Sequence, residues 1–261
     1  MNDTQIRNSL NSLVPIGLDS ITSVRLMNRI EIKYVFPANK IGDLINLLDS
    51  KYKVLEINKL RAFPYLTTYM DTPDFLFYNQ HLRGEFGRYK IRYRKYESMD
   101  SSYLEIKMKT NKRRTIKSRI ENNLVSGTFD DQAVNFISKH LPVNSTLIKP
   151  VLINRFTRIT LIGLDLKERI TIDYNISFEE LTRGGQAEMP YLAIVELKKK
   201  GQSPSSDFKK LIKLLNIYPP GFSKYCIGSA SLNDLLKKNM LKPKLLLLNK
   251  IENEYNKFIS N

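Results

Sequence analysis

Apolar and polar positions alternate with a period of two over residues 29–36, 64–71, 87–97, 102–109, 115–121, 150–162, 168–174 and 190–200, and this predicts strands there. Tyr52 to Ile57 and Ile176 to Leu181 carry weaker versions of the same pattern. Helical spacing interrupts it. Pro37 opens a helix whose apolar stripe is Ile41, Leu44, Ile45 and Leu48. Asp130 and Asp131 begin a second, with Val134, Ile137 and Leu141 on one face, and Ser205 or Ser206 caps a third that runs through Phe208, Leu211, Ile212 and Leu215. Residues 223–259 read as one or two amphipathic helices broken near Pro243, and residues 1–26 as a leading arm, helical at Ile6 to Leu13. There is no internal repeat and no Gly-, Pro- or Ser-rich linker. Many strands with few helices predict a single α+β domain, a β-barrel with helices on its outside or ends.

The strands share a second feature. Side chains alternate across a strand, so residues of one parity share a face. In GRYKIRYRKYE, Arg88, Lys90, Arg92 and Arg94 share one face, opposite Tyr89, Ile91 and Tyr93. The pattern recurs with Glu105, Lys107 and Lys109, with Lys117 and Arg119, with Arg29, Glu31 and Lys33, with Arg169, Thr171 and Asp173, and with Glu196, Lys198 and Lys200. The apolar faces need cover, which the amphipathic helices supply. Helices outside put the ions inside, in a closed barrel; the alternative, ions outside and apolar residues inside, is an ordinary barrel that leaves the helices less to cover. Two cations about 4 Å apart repel by about 4 kcal/mol at an effective dielectric of 20, so such an interior calls for a bound anion.

Composition agrees. Forty-two Lys and Arg against 26 Asp and Glu give a formal charge of +16, which implies an anionic partner. Cys226 is the one cysteine and His81 and His140 the two histidines, which excludes a disulfide framework and a Cys- or His-rich metal site. No signal-peptide core and no apolar run long enough to span a membrane occurs, so the chain reads as soluble and cytoplasmic. Nucleic acid is a poor partner: the cations are spread over many strands, and no helix-turn-helix, RRM or zinc-finger signature is present.

Several segments taken in order, RIEIKY, YLTTYMDTPDFLFYNQHLRG, RYKIRYRKY, YLEIKMK, NRFTR followed by ERITID, IVELKKK and FSKY, resemble the vacuolar transporter chaperone (VTC) domain, the polyphosphate polymerase of the triphosphate tunnel metalloenzymes (CYTH-like superfamily). The resemblance covers roughly residues 27–230 and leaves 231–261 as an amphipathic tail. It implies a closed, eight-stranded antiparallel tunnel and a phosphotransferase that moves the γ-phosphate of ATP onto inorganic polyphosphate. It also implies Mn²⁺ or Mg²⁺. Matched position by position, it implies Lys33, Arg83, Arg92, Arg94, Lys107, Arg155, Arg169, Ser223 and Lys224 as phosphate-binding residues, and Glu196 as metal ligand. The charged faces add Arg29, Arg88, Lys90, Lys109, Arg119, Lys198 and Lys200 on the phosphate side, and Glu31 and Glu105 as further carboxylates that either bind metal or pair with neighbouring cations.

Two positions depart from the family pattern. Arg29 stands where hydrolytic relatives carry the first carboxylate of E-x-E-x-K, which moves the site away from a two-metal triphosphatase. Gly221 stands where polymerases carry a further lysine. A triphosphatase and a non-catalytic polyphosphate-binding module remain alternatives. Lys237, Lys238, Lys242, Lys244 and Lys250 flank the Leu245–Leu248 run, a surface suited either to capping the domain or to meeting a membrane protein at the inner face of a membrane.

Overall fold

The computed structural model describes residues 3–22, 29–96, 101–112, 114–123, 128–200 and 206–260. Along the chain run α1 (Asp3–Asn11), β1 (Pro15–Ile16), α2 (Leu18–Thr22), β2 (Arg29–Pro37), α3 (Ile41–Leu48), β3 (Tyr52–Leu55), β4 (Ala62–Asp71), α4 (Leu76–Leu82), β5 (Arg88–Tyr96), β6 (Ser101–Lys109), β7 (Thr115–Glu121), α5 (Asp131–His140), β8 (Lys149–Gly163), β9 (Glu168–Glu180), β10 (Gln186–Met189), β11 (Leu192–Lys200), α6 (Asp207–Leu214), α7 (Lys224–Leu232) and α8 (Lys242–Ile259).

Eight of these strands form one path, β2-β11-β9-β8-β4-β5-β6-β7, with every neighbouring pair antiparallel. All eight line one cavity, so the sheet curls round on itself. Among the described residues, however, β2 and β7 share no ladder, so the expected barrel is not closed by hydrogen bonds and a seam lies between these two strands. β7 is half-buried at best along its whole length and Ile116 is exposed, so no apolar face holds it against β2. Its ions instead mark it as a protected edge.

The apolar faces point outward, under the helices. Tyr34, Phe36, Ile170, Ile172, Tyr174, Val195 and Leu197 pack beneath α1, α3 and α6. Ile91, Tyr93, Leu104 and Ile106 pack beneath α5. The leading segment belongs to this core, since Ile6, Leu10 and Leu13 are buried in it. Ser206 caps α6 through Lys209 N–H, as its position before an apolar stripe requires. The break predicted near Pro243 lies earlier. Pro243 sits in the first turn of α8, where its missing N–H costs nothing, and residues 233–241 make the turn. Leu248 and Ile251 of α8 are buried, and Leu245 and Leu247 pack beside them, so most of the apolar run caps the domain's own core. No helix among the described residues is long and apolar enough to cross a membrane.

Two local devices aim the strands. The stretches predicted at 168–174 and 176–181 are one strand with a bulge, where β8 residues 155–157 face β9 residues 174–177 and Asn175 takes a left-handed φ of 50°. At the end of β4, buried Asp71 accepts the N–H groups of Thr72, Phe77 and Tyr78 at 2.8, 2.9 and 2.9 Å and the hydroxyl of Tyr225, which ties α4 and α7 to the strand. α7 then lies across one end of the curled sheet with Tyr225 to Ala230 all buried.

Gly228 makes that approach possible. A Cβ there would stand 2.4 Å from Phe178 Cδ1 and 2.9 Å from Leu152 Cδ2. Gly228→Ala should therefore destabilise the fold by about 1–3 kcal/mol through overpacking, read as a lower urea midpoint at constant m-value. An unchanged midpoint would mean that α7 does not seat against Phe178.

Candidate anion-binding site

The cavity enclosed by the curled sheet has a volume of about 280 Å³. Among the described residues its wall carries ten cations, Lys33, Arg88, Lys90, Arg92, Arg94, Lys107, Lys109, Arg158, Lys198 and Lys224, against three carboxylates, Glu31, Asp173 and Glu196. Strand pairing forces like charges together: Arg88 stands opposite Lys109 and Lys90 opposite Lys107.

Carboxylates hold some of these cations. Arg92 donates from Nε at 2.8 Å and Nη2 at 2.6 Å to Glu105 Oε2, and Lys117 pairs with the other oxygen of the same carboxylate. Arg158 donates from Nε to Asp173 Oδ1 at 2.6 Å and from Nη2 to Oδ2 at 2.7 Å, and Lys224 donates to Oδ2 at 2.6 Å. Lys198 and Lys33 flank Glu196 at 2.9 and 3.5 Å. Others have no carboxylate partner among the described residues. Lys90 donates to Ser223 Oγ at 3.1 Å and lies 3.3 Å from His81 Nε2. Arg94 rests over the Tyr65 ring at 5.6 Å with its Nε buried and unpaired. Lys107 faces the cavity without an ion pair among the described residues.

The crowding shows in proton affinities. Arg92, followed by burial, pulls Lys107 down to about 6. Burial and nearby cations pull Lys224 down to about 7, with Asp173 opposing, and Lys90 down to about 8. Burial and Lys90 hold His81 neutral, at about 2. Burial works against ionisation of Asp173, yet Arg158 and Lys224 keep it at about 2. Glu105 is likewise held well below the carboxylate range by Arg92, Arg94 and Lys117 against the effect of burial.

Most sequence-derived candidates converge here: Lys33, Arg92, Arg94, Lys107, Ser223, Lys224, Arg88, Lys90, Lys109, Lys198, Glu31 and Glu196 all line the cavity. Arg169 shares the inward face of β9, opposite Lys198, but lies beyond the lining. Arg155 does not face the cavity. Phe156 and Arg158 have the inward parity on β8, which sends Arg155 to the outer face, where it pairs with Glu179 at 2.8 Å. Arg83 lies outside the lining after α4, largely exposed and paired with Glu85. Exposed Arg119 stacks on Tyr103 at 4.9 Å, also outside the lining. Glu105 is fully buried beneath the arginines. The side chains of Arg29 and Lys200 lie outside the described residues. Arg158, Asp173 and His81 are additions. The parity of NRFTR carries the first, since only one of its two arginines shares a face with Phe156.

The divalent ion that the resemblance implies meets few donors in the cavity wall. Among the described residues no group of three His, Cys, Asp or Glu forms a cage. Glu196 is one carboxylate between two lysines, with Glu31 one pleat away on the neighbouring strand. One or two carboxylates completed by phosphate oxygens is a common Mg²⁺ shell, so these residues fit an ion carried by phosphates rather than one held by protein alone.

The sequence profile of the VTC domain matches residues 28–233. The chain belongs to the VTC domain family. No curated protein matches its sequence. Solved structures similar to this VTC domain include HpAC1 from Hippeastrum, described as having a dominant triphosphatase activity (13% identity, 78% of this chain and 96% of that one, TM-score 0.44). They also include the PH1819 protein of Pyrococcus horikoshii OT3 (13% identity, 77% and 98%, TM-score 0.41) and the Pct1 RNA triphosphatase of S. pombe (9% identity, 83% and 85%, TM-score 0.29). At these scores the likenesses say nothing about what this domain binds. Family membership, with the curled basic sheet, makes it a triphosphate-tunnel fold.

Two outcomes follow from the geometry. Binding of tripolyphosphate should take up protons, because an anion favours the charged forms of Lys107, Lys224 and Lys90, which are depressed to about 6, 7 and 8. Affinity should therefore fall as pH rises from about 6 to 9, and calorimetry in buffers of different ionisation enthalpy reads the uptake directly. In the same assay Arg158→Ala should weaken binding by about tenfold or more and Arg155→Ala by less than about twofold. Equal losses would contradict the assigned parity of β8.

Proposed function

We propose that this VTC domain transfers the γ-phosphoryl group of ATP to the end of a growing inorganic polyphosphate chain. The observation that carries the reading is the excess of inward cations, with Arg94, Lys107 and Lys90 free of carboxylate partners among the described residues and so ready for phosphate oxygens. Phosphoryl transfer needs positioning and charge neutralisation more than covalent chemistry. Arg92, Arg94 and Arg158 offer forked donors to non-bridging oxygens, while Lys107, Lys90 and Lys224 supply point charges. A terminal phosphate oxygen of the chain attacks the γ-phosphorus, the bond to the β–γ bridging oxygen breaks, and ADP leaves. The attacking oxygen is already ionised, so no general base is required. Glu196, with Glu31 nearby, would hold a divalent ion, and such an ion would offset charge developing on the phosphates.

Two features favour the chain end over water as acceptor. Arg29 replaces a carboxylate that would help hold a metal-activated water. His81, the one imidazole in the cavity wall, is held neutral beside Lys90 and is a weak base.

Labelled ATP with Mn²⁺ or Mg²⁺ should yield species longer than triphosphate on a gel. Orthophosphate as sole labelled product would establish a triphosphatase instead, and tight polyphosphate binding without turnover a binding module. Glu196→Gln should lower metal-dependent turnover by about 100-fold with the fold intact. Normal turnover across metal concentrations would reduce Glu196 to a partner of Lys33 and Lys198.

A further inference from the structure

We propose that Asp173 is a positioning residue of the anion site, fixing Arg158 of β8 and Lys224 of α7 as one unit that grips the same stretch of phosphate. The inference rests on reading the cavity as a phosphate site. An acid in such a cavity weakens its field, so its presence calls for a compensating role.

The geometry supplies that role. Asp173 lies directly opposite Arg158 in the β8–β9 register. Its two oxygens take Nε and Nη2 of Arg158 side-on, at 2.6 and 2.7 Å, which fixes the guanidinium plane and leaves Nη1 outside the pair. The same carboxylate reaches the ammonium of Lys224, at 2.6 Å. Lys224 comes from the first turn of a helix, over 50 residues further along the chain, so one carboxylate joins wall to cap. The rings of Tyr65 and Phe156 hold the guanidinium at 4.9 and 5.2 Å, and the Phe156 ring lies 3.1 Å from the Lys224 ammonium. Both cations line the cavity. Glu105 and Glu196 do not join these parts: Glu105 links strands β5, β6 and β7, and Glu196 links strands β2 and β11.

The proposal makes a prediction of opposite sign to its rival. Were Asp173 only a counter-charge, its neutralisation would tighten anion binding. As a positioning residue, its loss lets Arg158 and Lys224 part and weakens binding. It should also shift the pH response. Lys224 faces Asp173 from β9, Arg158 from β8 and Arg94 from β5, and Asp173 is the one anion among them.

Calorimetric titration with sodium tripolyphosphate in the presence of a chelator, from pH 6 to 9, tests this on the full chain. Asp173→Asn should bind about tenfold more weakly at pH 7, with the alkaline loss of affinity displaced to lower pH. Equal or tighter binding overturns the proposal, as does weaker binding with an unmoved pH profile. Should Asp173→Asn fail to melt cooperatively, Asp173→Glu decides, since it keeps the charge and moves it by one methylene. Weaker binding with the wild-type pH profile supports positioning, and wild-type affinity overturns it. A wild-type protein that fails to bind tripolyphosphate sinks the phosphate reading itself, and the inference with it.

Discussion

Confinement of like charge behind an apolar wall is the constraint on which this molecule is built. Stability comes from the outward faces, where α1, α3, α5 and α6 cover Ile, Val, Leu and Tyr of the strands. The inward faces work against it. Each opposed cation pair costs a few kcal/mol in a medium of reduced dielectric, and the lowered proton affinities of Lys107 and Lys224 record that cost. The domain is thus stable in spite of its interior, and under the proposed function a bound polyphosphate would offset the strain that the fold imposes.

Internal acids manage the remainder. Glu105 lies beneath Arg92 and Lys117 and leaves Arg92 lining the cavity, so it holds that arginine without itself entering the cavity wall. Glu196 stands in the wall between two lysines, Lys33 and Lys198. Asp173 connects strand to helix. Three carboxylates of similar chemistry differ in what they leave exposed, and depth decides it.

The architecture was legible because its rule is repeated. Inward ions opposite outward apolar residues recur on strand after strand, and a period of two needs no tertiary knowledge to detect. The same parity rule, applied to NRFTR, distinguishes Arg158 from Arg155, but only once Phe156 is known to face inward, and a Phe between two arginines reads equally well as core on either side. The seam between β2 and β7 was not legible. Closure depends on whether two edges meet, and β7 alternates as regularly as its paired neighbours. Nor was the place of His81, since α4 is aimed by Asp71 and by a left-handed Phe75, both tertiary matters.

The single extra residue at Asn175 has a consequence for how this sequence can change. Upstream of it, Ile170, Ile172 and Tyr174 sit under the outer helices, while downstream Ile176 and Phe178, on the same numerical parity, sit with Tyr69 and Phe156 at the α7 end. One strand therefore lines the charged chamber with one half and seals it with the other, and the changeover is set by a count of residues rather than by their kinds. Conservative substitutions along β9 should be absorbed, whereas loss or gain of one residue near 175 would turn a stopper inside out, carrying greasy side chains to water and leaving the chamber without its lid. Insertions and deletions, not point changes, are where this strand is brittle.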